Sequence, residues 1–195
     1  MKELVFLLEE ASAKAMLQGL LPRILDPMVQ PRLIVFEGKQ DLEKQMVRRM
    51  RGYANPNARF VVLRDQDSTP DCKVVKAKLL ALCTQANRQA NSIVRIACRE
   101  LESFYLADLQ AIEKALDVTG LARFQNMARF RSVDHVEKPS RELERLTKGR
   151  YQKVSGSRQL GLHLDIANQR SASFRNLIVG IRRQEQELLA LQNAT

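Results

Sequence analysis

The residues of this chain best suited to chemistry are carboxylates that follow short apolar runs. In FVVLRDQDSTPDCK, residues 60–73, such a run ends on Asp65 and Asp67, one residue apart, ahead of a Ser-Thr-Pro-Asp helix start. Two like charges this close repel each other, and they coexist best beside a cation or in open water. The pattern recurs along the chain. Glu9-Glu10 follows LVFLL (4–8), Glu37 follows LIVF (33–36), and Glu100-x-Glu102 follows SIVRIAC (92–98). One acid at a helix start answers to the helix dipole. Four in succession point to oxygen ligands for one Mg²⁺, or for two ions ~3.5–4 Å apart.

The elements that must position these acids are legible as four strand–helix units. Each apolar run leads into a helical pattern: EEASAKAMLQGLLPRIL, KQDLEKQMVRRMRGY, CKVVKAKLLALCTQAN and RELESFYLADLQAIEKAL. In the first of these, Ala15, Met16, Gly19 and Leu20 share one helical face. Repeated strand–helix units predict a parallel sheet with helices on its faces, and right-handed crossovers place all strand C-termini at one edge. That edge is where open α/β sheets bind ligands. With strand order 2-1-3-4, Glu9 or Glu10, Asp65, Asp67 and Glu100 or Glu102 converge. Glu37 then lies two strand spacings away, ~10 Å, as a supporting residue. The third helix is expected to be capped by Thr69, with Pro70 in its first turn and Asp71 favouring the dipole.

After about residue 120 the chain turns polar and basic, punctuated by Pro139, Gly149, Gly156 and Gly161. Helices are expected at 140–147, 156–168 and 171–192, the last capped by Ser171 with Phe174, Leu177, Ile178 and Ile181 as its apolar stripe. The division is thus an α/β domain over 1–120 and a basic helical extension over 121–195 packed on the same core. The formal charge is +10, and the extension carries 14 Lys+Arg against 7 Asp+Glu. Such a balance suits a polyanion, nucleic acid first. Arg48, Arg49 and Arg51 of the second helix, and Arg123, Arg129, Arg131, Lys148, Arg150, Lys153 and Arg158, are the phosphate-binding candidates. Phe124, Phe130 and Tyr151 interleave with them and could stack on bases, although core packing explains the two phenylalanines.

Other function classes find little support. Cys72, Cys83 and Cys98 form no C-x-x-C pair, which argues against a zinc cluster or disulfide framework and for a reducing cytoplasm. LVFLL is too short for a signal segment, and no run reaches the ~20 apolar residues of a membrane span. No phosphate-binding glycine loop occurs, so an ATPase would be a separate chain. His135 and His163 join no nucleophile arrangement. Asp65-Gln66-Asp67-Ser68-Thr69 matches the D-x-D-x-T nucleophile loop of haloacid-dehalogenase-type phosphotransferases. That family opens on the motif, whereas two strands precede it here, and no acidic pair follows residue 108.

An acid after the first strand and D-x-D after the third resemble the Toprim fold of topoisomerases, primases and the overcoming-lysogenization-defect nucleases. More closely, EEASAKAMLQGLLPRIL, FEGKQDLEKQ, RFVVLRDQDSTPDC and VRIACRELESFYLADL resemble a bacterial Toprim-like family of unknown function, and YQKVSGSRQLG and SASFRNL extend the likeness over nearly the whole chain. The resemblance implies an α/β, Rossmann-like four-stranded sheet. It makes Glu9 the general base or metal-binding glutamate, Asp65 and Asp67 metal ligands, and Glu102 the glutamate of the R-E-L-E segment. Toprim glutamates usually precede glycine. Here Glu9 precedes Glu10, and the literal Glu-Gly is Glu37-Gly38, so Glu9, Glu10 and Glu37 remain open; topology favours Glu9.

The expected function is Mg²⁺- or Mn²⁺-dependent phosphodiester cleavage. Asp65, Asp67 and Glu9 or Glu10 would bind metal, with Glu100 or Glu102 holding a second ion. The resemblance further implies a phage-defence effector run by an AAA or SMC-like ATPase, families of this kind often being encoded together. The alternative is a non-catalytic Toprim-like subunit that binds nucleic acid or its ATPase. Whether the substrate is DNA or RNA, and whether the chain is a homo-oligomer, stay open.

Overall fold

The computed structural model describes residues 1–191. Its centre is a four-stranded, all-parallel sheet of β1 (Lys2–Leu8), β2 (Val29–Val35), β3 (Arg59–Asp65) and β4 (Ser92–Ala97), in the order β2-β1-β3-β4. This is the 2-1-3-4 order on which the convergence of acids depends. β1 and β3 are the central strands, and both are near-continuous apolar runs because helices cover both of their faces. Leu8 lies level with Leu63, and Asp65 level with Ala97. The strand ends that carry Glu9-Glu10 and Asp65 therefore finish together.

Two helices cover one face of the sheet. α2 (Lys39–Arg51) and α3 (Cys72–Gln85) bury Leu42, Met46, Met50, Val75 and Leu79 against Val5, Leu7, Phe60, Val62, Val94 and Ile96. The other face carries α1 (Ala11–Leu20), α4 (Glu102–Leu106), α5 (Leu109–Leu116) and the C-terminal helices α6 (Ala128–Arg131), α7 (Pro139–Leu146), α8 (Lys153–His163) and α9 (Ala172–Ala190). Phe174, Leu177, Ile178 and Ile181 of α9 enter the same cluster as Leu4, Phe6, Leu8, Val61 and Leu63. Ser171 caps α9 as expected, its hydroxyl accepting from the Phe174 amide at 3.0 Å. Residue 192 of the predicted 171–192 helix, and the end of the predicted 121–195 extension, lie outside the described residues. Among the described residues no helix is long and apolar enough to cross a membrane.

Local expectations need three corrections. α3 begins at Cys72 and is capped by Asp71, which accepts from the Lys73 amide at 2.8 Å, so Thr69 is not the cap. Residues 66–71 form a loop instead, held by the Gln66 amide group donating to the Thr69 carbonyl at 2.7 Å, with Asp67 left-handed at φ 56°. The pattern RELESFYLADLQAIEKAL forms two helices. Asp108 breaks it by accepting from the Ala111 amide at 3.0 Å, which caps a new start. α8 runs over 153–163 and so starts and ends earlier than the predicted 156–168.

The close approach of α1 and α8 matters for the site. A Cβ on Gly161 would stand 2.1 Å from the Met16 carbonyl oxygen, and one on Gly19 would stand 2.8 Å from the Gly161 backbone. The two helices meet backbone to backbone. That contact brings the N-terminal end of α8 to the edge where β1 ends.

Candidate functional site

Strand alternation sorts the acids between the two faces. In β3, Val61 and Leu63 face α9 while Phe60 and Val62 face α2 and α3. Continuing the period of two turns Asp65 toward the α1, α4 and α8 side, and Arg64 toward α2. The contacts agree. Arg64 is buried and reaches Glu43 of α2 at 2.6 Å, with the Glu9 carboxylate at 3.7 Å. Glu9 is 9% exposed, and its Oε2 accepts from the Asp65 amide at 3.1 Å. Glu10 points to the other side, where Lys153 of α8 pairs with it at 2.6 Å.

Asp65 is 8% exposed and forms no ion pair among the described residues. Burial, together with the Glu10, Glu102 and Glu9 carboxylates, holds its pKa well above the usual carboxylate range. Glu102, at the start of α4, is 1% exposed and accepts from the Tyr151 hydroxyl at 2.8 Å. Burial raises its pKa despite that bond. Burial likewise raises Glu9, against the opposing Asp65 amide, and the Asp67 charge adds to the rise. For Lys153, burial acts to lower the pKa, but Glu10, Glu102 and Asp65 outweigh it and the ammonium is stabilised. The edge is short of positive charge.

Several site residues were not foreseen in a chemical role. Tyr105 is fully buried beside Tyr151 with ring centroids 6.1 Å apart. Its hydroxyl lacks a well-formed hydrogen bond, although Ser157 is close and Glu102, Asp65 and Glu10 surround it. Ser157 lies 3.1 Å from the Tyr151 hydroxyl. A Cβ on Gly156 would stand 2.7 Å from the Tyr151 ring, so this glycine makes room for it. The signal was present in YQKVSGSRQLG, but only tertiary packing brings that segment to the strand edge.

The structure places the other candidates elsewhere. Asp67 sits at the rim, with its carboxylate 2.9 Å from Lys39 and its amide donating to the Arg99 carbonyl. Glu100 turns away and accepts from the Ser140 amide at 2.7 Å, capping the first turn of α7. Glu37 is exposed just past the end of the edge strand β2, its amide held by Asp41. Arg48, Arg49 and Arg51 end α2, roughly 15–18 Å of helix from its start at the acidic edge. Arg51 donates to the Gln85 carbonyl there. Lys148, Arg150 and Arg158 are exposed. Lys153, read as a phosphate binder, is bound to Glu10 at the solvent-exposed side of the acidic group.

Glu9, Glu10, Asp65 and Glu102 all offer hard oxygen donors of the kind a divalent cation takes, and among the described residues Asp65 is a buried carboxylate with no ion pair. As the side chains stand, no group of three or more His, Cys, Asp or Glu residues among the described residues is arranged to hold a metal ion. The acids are gathered without converging on one point.

Fold and site together define an α/β, Rossmann-like chain with buried carboxylates at the C-terminal edge of a parallel sheet. The chain belongs to the family described as domain of unknown function DUF4276, which matches residues 8–182. No curated protein and no solved structure matches it.

Proposed function

We propose that this chain is a Mg²⁺- or Mn²⁺-dependent nuclease of Toprim type that hydrolyses phosphodiester bonds in DNA or RNA. The observation that carries this reading is the buried Asp65 carboxylate, without an ion pair among the described residues, beside Glu9, Glu10 and Glu102. Three carboxyl groups with raised pKa values at one strand edge are a cost to the fold, which a divalent cation would relieve. When bound, the cation would neutralise phosphate charge and make a water more acidic. Asp65, with Glu9 or Glu10, would hold it. Tyr151 orients Glu102, and α4 and α8 close the inner side of the site to water. Lys153 keeps a positive charge at the mouth. The resemblance of the quoted segments to the Toprim-like family supports a cytoplasmic phage-defence role under an AAA or SMC-like ATPase on another chain.

The test is cleavage of single- and double-stranded DNA and of RNA by purified protein with Mg²⁺, Mn²⁺ or EDTA. Metal-dependent cleavage that is lost in Asp65→Asn supports the reading. Cleavage that is undiminished in the variant refutes it. The lack of a convergent ligand set and the Glu10–Lys153 pair favour one second reading. In it, the chain is a non-catalytic subunit that binds nucleic acid or its ATPase, and the acids serve structure.

A further inference from the structure

On the side of the molecule carrying α5 and α7, a cleft of about 520 Å³ opens between the end of α5, the 117–124 segment and the 145–150 turn. Its walls bear Arg123, Arg129, Arg145, Lys148 and Arg150, against Asp117 as the one acid in the lining. Cations favour a helix C-terminus, which accounts for Arg145 at the end of α7. It does not account for five. Glu142 pairs with Arg145 at 2.7 Å and Arg129 at 3.4 Å, and fully exposed Asp117 stands 3.8 Å from Arg150. The cleft therefore keeps a positive surplus.

Its floor is of another kind. Val118, Leu121, Phe124 and Leu146 line it and belong to the main core or pack on it. The Arg123 guanidinium lies 4.7 Å from the Phe124 ring centroid, and together they make a flat, charged platform. Bases stack on arginine and aromatic planes, and phosphates bind guanidinium groups. Lys148 and Gly149 both have left-handed φ, 52° and 78°, in a turn at the lip of the cleft. Their amides donate to the Arg145 carbonyl at 3.3 Å and the Glu144 carbonyl at 2.9 Å, the bonds that close the C-terminus of α7, so the helix cap fixes Lys148 at the lip. Arg150 is anchored to the Asp117 carbonyl at 2.6 Å.

The cleft is joined to the acidic edge by chain connectivity. Arg150 lines the cleft, Tyr151 bonds Glu102, and Lys153 bonds Glu10. Three residues reach at most about 11 Å. The geometry points to a binding cleft for single-stranded nucleic acid, seating about one or two nucleotides beside the acidic edge. A duplex is too broad to enter. This deepens the proposed function and rests on it only for what is done to the strand, since binding itself needs no cleavage.

The experiment is fluorescence anisotropy with labelled 12-nucleotide single-stranded DNA and RNA, over a salt series, in EDTA. Arg123→Ala/Lys148→Ala/Arg150→Ala is compared with wild type and with Lys44→Ala/Lys76→Ala, which removes exposed charges from α2 and α3 on the opposite sheet face. The cleft variant is expected to bind at least tenfold more weakly, with a salt slope shallower by about two to three. The control is expected to match wild type, and unlabelled duplex is expected to compete poorly. Equal loss in both variants, an unchanged cleft variant, or equal competition by duplex overturns the cleft. Because the cleft variant can misfold, its unfolding midpoint is measured, and single Arg123→Ala and Lys148→Ala variants must each show part of the loss. Cleft-dependent binding without cleavage would sink the nuclease reading alone, and cleavage with undiminished binding in the cleft variant would sink the cleft alone.

Discussion

At the scale of single residues, Asp65 is a carboxyl group whose ionisation opposes the fold. Its folded-state pKa lies above its unfolded value, so the folded protein holds a proton that the unfolded chain has released. Stability from this group therefore falls as pH rises, the penalty being absent below the unfolded pKa and complete above the folded one. In EDTA, Asp65→Asn is expected to match wild type in unfolding midpoint near pH 4 and to exceed it by several degrees near pH 7.5. Adding Mg²⁺ or Mn²⁺ at pH 7.5 should raise the wild-type midpoint and leave Asp65→Asn unmoved. A gap that stays constant with pH contradicts the electrostatic account. Tyr151 supplies the complementary case. Tyr151→Phe strands the Glu102 carboxylate and should cost ~1–3 kcal/mol in denaturant unfolding. Glu102→Gln, which keeps a hydrogen-bonding group without the charge, should cost less.

At the scale of elements, the contact between α1 and α8 decides where the site's second half stands. Gly161→Ala drives a methyl group into the Met16 carbonyl, and overpacking of this kind costs about 1–3 kcal/mol or more. Because α8 must shift as a body, the Lys153–Glu10 and Tyr151–Glu102 contacts should loosen with it. Gly149→Ala is the contrasting substitution. Open space surrounds it, and its cost of about 1–2 kcal/mol comes from left-handed φ alone. Denaturant unfolding measures both, and cleavage or metal response measures the site. If Gly161→Ala leaves the site response intact, helix placement is not what positions Lys153.

For the whole molecule, α9 is the test of whether the C-terminal part can be removed. It lies across the face formed by Leu4, Phe6, Leu8, Val61 and Leu63. Ending the chain at residue 170 would expose that face and remove the buried side chains of Phe174, Leu177, Ile178 and Ile181, each worth about 1.5–3 kcal/mol. Native stabilities are only about 5–15 kcal/mol, so the shortened chain is expected to show no cooperative thermal transition. A two-state transition near the full-length midpoint would show that residues 1–170 hold the sheet without it.

Much of this was readable from the residue order. Four apolar runs, each followed by acid and a helical pattern, determined the parallel α/β architecture, because strand burial and helix amphipathicity leave local periodic traces. Asp65 was legible as a candidate site residue for the same reason: it ends a buried run. Tertiary structure alone decided which acids share a side. Glu100 and Glu102, two residues apart in one motif, part company because α7 offers an amide to one and Tyr151 a hydroxyl to the other. Lys153 read as a phosphate-binding cation of the basic extension, and only the two facing glycines that bring α8 against α1 set it beside Glu10. Periodicity records which face of an element is buried. It does not record which distant element covers that face, and the charge balance of this site depends on that contact.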